Sequence, residues 1–170
     1  LADGGQLAKQ LPDITYQTHD YQQWAVVANV KAEKKQIGIA YERFTSDGPV
    51  ALLPNDKDFA LVWTVTPEAS KEIAALDDAT FLARLHRHFG DRLGRFVRAG
   101  KRSAFPLALK YATSVTTQRV ALIGNAAQTL HPVAGQGFNL GLRDAYELAC
   151  EISSTQSSSH EIGAPAMLSR

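Results

Sequence analysis

The chain has 170 residues, 45% of them hydrophobic, and 18 basic against 17 acidic residues give a net charge of +1. This length supports one good core or two small ones, and the balanced charge gives no electrostatic reason to expect nucleic-acid binding. The single cysteine, Cys150, excludes an internal disulfide and suits a reducing compartment, and no apolar run approaches the ~20 residues that span a bilayer.

The first third of the chain predicts an antiparallel sheet. Residues 24–30 are almost continuously apolar, and residues 59–65 alternate between large apolar and smaller side chains, as in a strand with one buried face. Asp47-Gly48 predicts a turn between strands. Further apolar positions are Ile37, Ile39 and Tyr41, which alternate, and the short run Val50 to Leu53. The short connections favour antiparallel pairing.

Residues 77–89 predict a helix. Asp77 or Asp78 can cap it, and Gly90 ends it. Its apolar stripe consists of Phe81, Leu82, Leu85 and Phe89.

Two features of this region could indicate a binding site, but in each case a structural role is the better interpretation. His86 and His88 lie two positions apart on the predicted helix, so their side chains diverge and no metal site is predicted. The basic run from Arg92 to Arg102 favours a solvated strand edge over a phosphate or lipid-headgroup patch.

The second half is organised around residues 119–150. After an irregular or edge strand near Phe105 to Leu109, the apolar run from Arg119 to Ile123 predicts a buried strand of a different sheet. A turn-rich loop follows, and a helix is predicted from Phe138 onward. Its shared apolar face is predicted to consist of Leu142, Ala145, Ala149 and Ile152.

The loop between that strand and helix is the candidate functional site. Its last glycines, Gly135 and Gly137, open the helix, so unpaired backbone N–H groups and the positive end of the helix dipole face the loop. The loop contains hydrogen-bonding residues but no Gly-x-Ser-x-Gly nucleophile motif, no His-Glu-x-x-His and no phosphate-binding Lys motif. A site without its own reactive group indicates a bound cofactor that supplies the chemistry.

The string from Gly124 to Asp144, GNAAQTLHPVAGQGFNLGLRD, resembles the second FAD-binding motif of the single-component aromatic hydroxylases, the class A flavoprotein monooxygenases. Asn125 and Gln128 depart from the Gly-Asp-Ala-Ala-His start of the wider family, in a way associated with its ubiquinone-biosynthesis branch. Ala2-Asp3-Gly4 resembles the family's Asp-Gly motif, although Leu7 stands where that motif usually has Ser. Residues 41–45 and 101–107 are also similar to this branch.

This resemblance implies a set of site residues. The residues implied to bind FAD are Asp3, Gly4, Gly124, Asn125, Ala126, Pro132, Gly135, Gln136, Gly137, Phe138 and Asn139. No catalytic residue is assigned with certainty, and His131 and Pro132 are candidates for the edge where flavin meets substrate. A structural turn histidine is an equally good interpretation of His131.

The resemblance also implies a fold of the α+β or α/β class: a mainly antiparallel substrate-domain sheet with a helix, plus the terminal strand–loop–helix of an FAD-binding domain. The expected divisions are 1–12 for the Asp-Gly segment, 13–112 for the substrate-binding sheet, 113–152 for the second FAD segment and 153–170 for a flexible tail. A Gly-x-Gly-x-x-Gly unit is not found in the chain, which is therefore expected to be a fragment, inactive by itself.

The activity implied is hydroxylation of a polyprenylated phenol in ubiquinone biosynthesis, through NAD(P)H-reduced FAD, O2 and a flavin C4a-hydroperoxide. Expected partners are the prenylated phenol, O2 and other ubiquinone-biosynthesis proteins, and the expected location is cytoplasmic or peripheral to the inner membrane. Two alternatives stay open: a non-catalytic module that binds a hydrophobic ligand or partner, and a related flavin enzyme, such as a halogenase or epoxidase, with a non-quinone substrate.

Overall fold

The computed structural model of the chain describes residues 1–34, 38–157 and 161–169. It divides into two compact units. Residues Gln22–Leu107 form one, here called the sheet unit, and residues Leu1–Tyr21 with Ala108–Arg170 form the other, here called the loop–helix unit. The mixed α+β class with an antiparallel sheet is confirmed, whereas the assignment of residues 13–112 to substrate binding stays a prediction.

Four antiparallel strands form most of the sheet unit, in the spatial order β2-β3-β4-β1. They are β1 (Tyr16–Ala32, which begins in the loop–helix unit), β2 (Tyr41–Thr45), β3 (Gly48–Asn55) and β4 (Asp58–Val65). The predicted turn at Asp47-Gly48 joins β2 to β3, where Thr45 pairs with Gly48. Ile37 lies outside the described residues, and Ile39 precedes β2, so the alternation predicted there contributes only Tyr41 to a strand.

The sheet unit also contains two helices and a fifth strand: α1 (Pro67–Ala75), α2 (Asp78–Phe89) and β5 (Phe96–Ala99), which pairs with β1. Helix α2 is confirmed with its cap, since an Asp77 carboxylate oxygen accepts the Thr80 backbone N–H at 2.9 Å. Helix α1 was not predicted. Its signal is Thr66 followed by Pro67, a capping residue and a favoured first helical residue.

The core of the sheet unit lies where both helices cover one face of the sheet. The alternating residues of β4 are all buried there, together with the stripe of α2. These residues are Phe59, Leu61, Trp63 and Val65 from β4, and Phe81, Leu85 and Phe89 from α2. Because one face of the sheet is buried against the helices, apolar residues recur at every second position in β4 and about every 3.6 positions in α2.

The basic run forms ion pairs. Arg95 pairs with Glu33 at 3.0 Å, Arg98 with Asp58 at 2.5 Å, and Arg102 with Asp78 at 2.7 Å. All three pairs lie within the sheet unit, so the charge of each arginine is balanced by a carboxylate of the same unit. The arrangement gives no support to a phosphate or lipid patch.

The loop–helix unit contains the end of β6 (Ser103–Ala112), four short elements and one long helix. The elements after β6 are β7 (Thr116–Thr117), β8 (Val120–Ala121), β9 (Gln128–Thr129), α3 (Gln136–Ser157) and α4 (Pro165–Leu168). The predicted separate sheet is present, but β8 is only two residues long and pairs with β7. Leu122, directly after it, is buried among the alanines of the following turn.

Helix α3 differs from its prediction in start and orientation. It begins at Gln136, two residues before Phe138, because the turn over Val133–Gly135 leads directly into it. Leu142 is 59% exposed, and Ala149 and Ile152 are exposed as well, so the predicted apolar face is wrong at these three positions. Its fourth residue, Ala145, is partly buried, as is Leu148, which was not predicted.

The segment predicted to be a flexible tail contains helix in its described residues. Helix α3 continues through Ser157, and α4 follows at Pro165–Leu168. Met167 is 4% exposed, and its sulfur accepts a hydrogen bond from the Gly163 N–H. A buried methionine gives this short helix an anchor that composition alone did not reveal.

The core of the sheet unit yields a first prediction. Phe81→Ala removes a fully buried ring and should lower the free energy of unfolding by about 3–5 kcal/mol. Phe44→Ala is the matched control, because the Phe44 side chain is 70% exposed and its loss should change stability by less than about 0.5 kcal/mol. Urea unfolding followed by circular dichroism measures both, and equal losses would contradict the assigned core.

Candidate functional site

The Asp-Gly segment forms a tight turn held by its own aspartate. The two carboxylate oxygens of Asp3 accept the backbone N–H groups of Gly5 at 3.1 Å and Leu7 at 2.8 Å. These hydrogen bonds, the one from Leu7 above all, hold the pKa of Asp3 below its usual range. Gly4 and Gly5 both have positive φ, which only glycine adopts readily, so the sequence Asp-Gly-Gly is what this turn requires.

The turn after β8 is tied to helix α3. The backbone N–H of Gly124 donates to a carboxylate oxygen of Asp144 at 2.9 Å. A Cβ on Gly141 would stand 3.2 Å from the Gly124 Cα, tighter than an ordinary van der Waals contact, so a larger residue at position 141 would push the helix and the turn apart. The Gly124–Ala126 turn and α3 therefore have a fixed relative position.

The same turn is held from its other side by a tyrosine of β1. The Tyr16 hydroxyl donates to the Ala126 carbonyl at 2.7 Å, and Ala126 is fully buried. Asn125 between these anchors is exposed, and its side-chain amide makes no hydrogen bond with any residue that the structure describes. An exposed amide on a fixed turn can donate to and accept from a ligand hydroxyl.

His131 and Pro132 come next along the loop. The Nδ1 atom of His131 accepts the Val133 backbone N–H at 3.2 Å, which places the proton of the neutral ring on Nε2. The ring lies edge-on to Tyr21, with centroids 5.1 Å apart. Burial lowers the pKa of His131, so the neutral form dominates at pH 7. Pro132 is exposed beside it.

The start of helix α3 is open on the side where a ligand would approach. Residues 135–139 are all exposed, and the first N–H groups of the helix have no partner within it. A Cβ added at Gly135 or Gly137 would meet nothing within 4 Å. Gly135 has a φ of +61°, which lets the loop enter the helix. This open row of donors fits a planar, electron-rich group such as the flavin pyrimidine edge.

A cavity of about 600 Å³ lies elsewhere in the loop–helix unit. Its lining includes Leu122, Ile123, Leu148 and Met167, and none of the residues predicted to bind FAD lines it. The cavity is therefore formed by residues other than those predicted to bind FAD.

Several site residues escaped the sequence analysis. Asp144 anchors Gly124, Tyr16 anchors Ala126, and Tyr21 packs on His131. Asp144 stands inside the recognised string and could have been found from its spacing to the helix start. The tyrosines come from β1, more than one hundred positions from the loop, and no local pattern links them to it.

Comparison with known proteins places the chain in a family of flavin-binding proteins. Residues 2–159 match the family described as "FAD binding domain", which is most of the chain. The chain therefore belongs to the FAD binding domain family, and the resemblance found in its loop is confirmed.

Two curated relatives narrow the comparison. The chain is 40% identical over 156 residues to "Ubiquinone hydroxylase UbiL" of Rhodospirillum rubrum, which covers 91% of the chain and 36% of that protein. It is 36% identical over 145 residues to "3-demethoxyubiquinol 3-hydroxylase" of Escherichia coli, covering 84% of the chain and 37% of the relative. The chain thus spans little more than a third of the length of these relatives.

Solved structures show the same fold. The flavin-dependent halogenase CmlS superposes with a TM-score of 0.75 at 22% identity, covering 99% of the chain and 32% of the halogenase. The probable FAD-dependent monooxygenase pqsL of Pseudomonas aeruginosa gives 0.74 at 22% identity, covering 99% of the chain and 48% of that protein. At these identities the likeness concerns the fold alone.

The Tyr16 anchor yields a second prediction. Tyr16→Phe removes the donor to the Ala126 carbonyl and should cost about 0.5–1.5 kcal/mol of unfolding free energy. Because Ala127 donates its N–H to Gly124 within the same turn, its amide should exchange faster in the variant. Tyr111→Phe is the control, since its hydroxyl bonds an exposed glutamine side chain. Unchanged exchange at Ala127 would show that Tyr16 does not hold the turn.

The burial of His131 yields a third prediction. In a proton NMR titration the folded ring should titrate at lower pH than the same ring in urea, whose pKa is about 6.5. The unfolded chain therefore binds the proton at a higher pH than the folded chain does. As a result, the free energy of unfolding should decrease as pH falls from about 6.5 toward the lower folded pKa. His131→Gln should remove that part of the pH dependence. A folded pKa at or above the unfolded one would contradict the described environment.

Proposed function

We propose that the full-length protein carrying this chain is an FAD-dependent monooxygenase that hydroxylates the ring of a polyprenylated phenol in ubiquinone biosynthesis, with NAD(P)H and O2 as co-substrates. The observation that carries the proposal is the identity of 40% and 36% to two proteins named as ubiquinone and demethoxyubiquinol hydroxylases. The matched regions include the loop whose geometry fits a flavin. The chain by itself corresponds to little more than a third of the length of these relatives.

The start of α3 is proposed to hold the flavin ring. Gly137, Phe138 and Asn139 are exposed residues in the first turn of the helix, and their backbone N–H groups would donate to the pyrimidine edge. Negative charge on that edge is stabilised by these donors and by the helix dipole. FAD supplies the redox chemistry when bound, accepting a hydride from NAD(P)H and activating O2.

The turn at Gly124–Ala126 is proposed to hold the sugar chain of the cofactor. Asn125 presents an exposed amide there, and the hydrogen bonds of Asp144 and Tyr16 keep its backbone in place. An amide binds a hydroxyl without the charge-assisted strength of a carboxylate. Asp3 and Gly4 are proposed to lie beside the pyrophosphate.

Pro132 and His131 are proposed to face the reacting edge. Pro132 offers an exposed apolar ring, which can pack against a flavin or phenol ring. With Nδ1 accepting the Val133 N–H, the neutral His131 carries its proton on Nε2, the tautomer that could donate a hydrogen bond to a phenol oxygen. Its lowered pKa keeps that donor neutral at working pH.

The open face of the sheet unit is proposed to bind the prenylated ring. Opposite the face that the helices cover, Val27 pairs with Val62 and Val62 with Ala51, giving an apolar row across three strands. A second row places Ala60 beside Leu53, which is 45% exposed. An apolar, partly exposed surface of this kind suits an isoprenoid substituent.

Association with the membrane surface and with other ubiquinone-biosynthesis proteins belongs to the same proposal, because a polyprenylated substrate partitions into lipid. Among the described residues, no helix combines the length and the apolar character required to cross a bilayer.

A fourth prediction tests the flavin seat. Gly137→Val should lower the FAD content of the purified full-length protein about tenfold or more, because the side chain would stand in the space proposed for the flavin edge, where an added Cβ meets nothing within 4 Å. Ala149→Val, at an exposed position later in α3, should retain FAD. Absorbance of the flavin and unfolding curves are the readouts.

The outcomes separate the possible functions. Unchanged FAD content in Gly137→Val would contradict the proposed seat. Incubation of the full-length protein with a polyprenylphenol, NAD(P)H and O2 should give a product heavier by one oxygen atom. A chlorinated product in the presence of chloride would instead assign a halogenase, and a colourless protein that binds the phenol would assign a binding module.

A further inference from the structure

The imidazole of His131 is constrained in the loop–helix unit by two different contacts. Its Nδ1 atom accepts the Val133 N–H at 3.2 Å, and its ring stands at 83° to the ring of Tyr21, with centroids 5.1 Å apart. The hydrogen bond constrains one nitrogen of the ring, whereas the perpendicular neighbour limits rotation of the ring plane. Together the two contacts fix the direction of the Nε2–H bond.

Tyr21 is the middle ring of a row of three. His19 lies two positions earlier on β1, and its ring stands at 81° to that of Tyr21, with centroids 5.5 Å apart. Residues two positions apart on a strand project to the same side, and perpendicular rings at this distance are a favoured aromatic arrangement. His19 is exposed, whereas Tyr21 and His131 are partly buried. The row therefore connects an exposed side chain of β1 to the loop that contains His131.

The backbone of β1 is irregular directly after Tyr21. Gln22 has a φ of +55°, which is uncommon for a residue other than glycine. The ladder between β1 and β4 begins only at Trp24, so Tyr21 lies outside it. Irregular strand residues of this kind occur near functional sites, where they change the direction of a side chain. The unusual backbone of Gln22 is independent of the ring contacts and favours a functional role for the neighbouring Tyr21.

Tyr21 contacts His131 through its ring and not through its hydroxyl. No hydrogen bond joins the Tyr21 hydroxyl to any residue in the described ranges 1–34, 38–157 and 161–169. The aromatic ring lies against the imidazole, which agrees with the burial that lowers the pKa of His131. A phenylalanine should therefore replace Tyr21 without loss, whereas an aliphatic side chain cannot present a flat ring.

We propose that Tyr21 is a positioning residue that acts through His131. Its ring holds the imidazole in the orientation that presents the Nε2–H group to the phenol oxygen of the substrate. This inference rests on the proposed function for the identity of the substrate, but the contact between the two rings can be tested without flavin or turnover. An imidazole that rotates would present this donor only part of the time, so a fixed ring favours reaction by orientation.

The first experiment observes the imidazole of His131 by nitrogen NMR in the full-length protein with isotope-labelled histidine, at a pH of about 8, where the ring is neutral. Its signals are those that disappear in His131→Gln. In the unchanged protein the two ring nitrogens should give well-separated signals, one protonated and one not, since a single tautomer is held. Tyr21→Leu should move these signals toward each other, because a ring that rotates exchanges its proton between both nitrogens. Tyr21→Phe should retain the separation.

Tyr111→Leu is the matched control, because Tyr111 lies on β6 of the same unit and its hydroxyl bonds Gln17. This variant should leave the His131 signals unchanged. Signals in Tyr21→Leu that match the unchanged protein would overturn the proposal, and so would equal changes in both leucine variants. If Tyr21→Leu does not fold, Tyr21→Met takes its place, since methionine fills irregular space without providing a flat ring.

The second experiment tests whether Tyr21 acts on hydroxylation through His131. With a polyprenylphenol, NAD(P)H and O2, Tyr21→Leu should lower kcat about tenfold and change KM by less than about twofold, whereas Tyr21→Phe should retain activity. The double variant Tyr21→Leu with His131→Ala should be no slower than His131→Ala alone, because one residue acts through the other. Additive losses would show a separate structural effect and overturn the proposal.

This inference and the proposed function fail in different ways. Full hydroxylase activity in Tyr21→Leu would refute the role of Tyr21 and leave the proposed function standing. A full-length protein that releases no hydroxylated product would refute the proposed function, and the NMR signals alone would then decide whether Tyr21 holds His131.

Discussion

The contact between Gly124 and helix α3 is the constraint on which the site depends. The Gly124 N–H donates to Asp144, and the Gly141 backbone lies so close to Gly124 that a side chain at position 141 would crowd it. Since the turn carries Asn125 and the helix carries the exposed N–H groups of its first turn, this one contact fixes the two halves of the proposed flavin seat relative to each other. If this contact were loose, the turn and the helix start could move independently, and the proposed seat would not be preorganised for a ligand that contacts both.

Much of the architecture was predictable because local patterns and burial agree. Phe59 to Val65 alternates and is buried on one face, and Asp77 caps a helix whose stripe enters the core. The family was predictable from a different signal, the string from Gly124 to Asp144, and the family match over residues 2–159 confirms it. The loop residues themselves stay predictions until a ligand is bound.

The rest failed where tertiary contacts decide. The partly buried side of α3 did not follow from its periodicity, because alanine and leucine occur on both sides: Ala145 and Leu148 are partly buried, whereas Leu142 and Ala149 are exposed. The last segment was predicted to be flexible because its composition is small and polar, whereas the structure places a buried methionine, Met167, in α4.

The open start of α3 would make the stability of this protein depend on a ligand bound there. Residues 135–139 are exposed, and the first N–H groups of the helix have no partner within it. A ligand that binds the folded form alone adds a stabilisation that grows with the logarithm of its concentration, about 2.7 kcal/mol at one hundred times its dissociation constant. With flavin bound as proposed, the melting temperature would rise with cofactor supply, and a cell short of flavin would hold less of the folded protein.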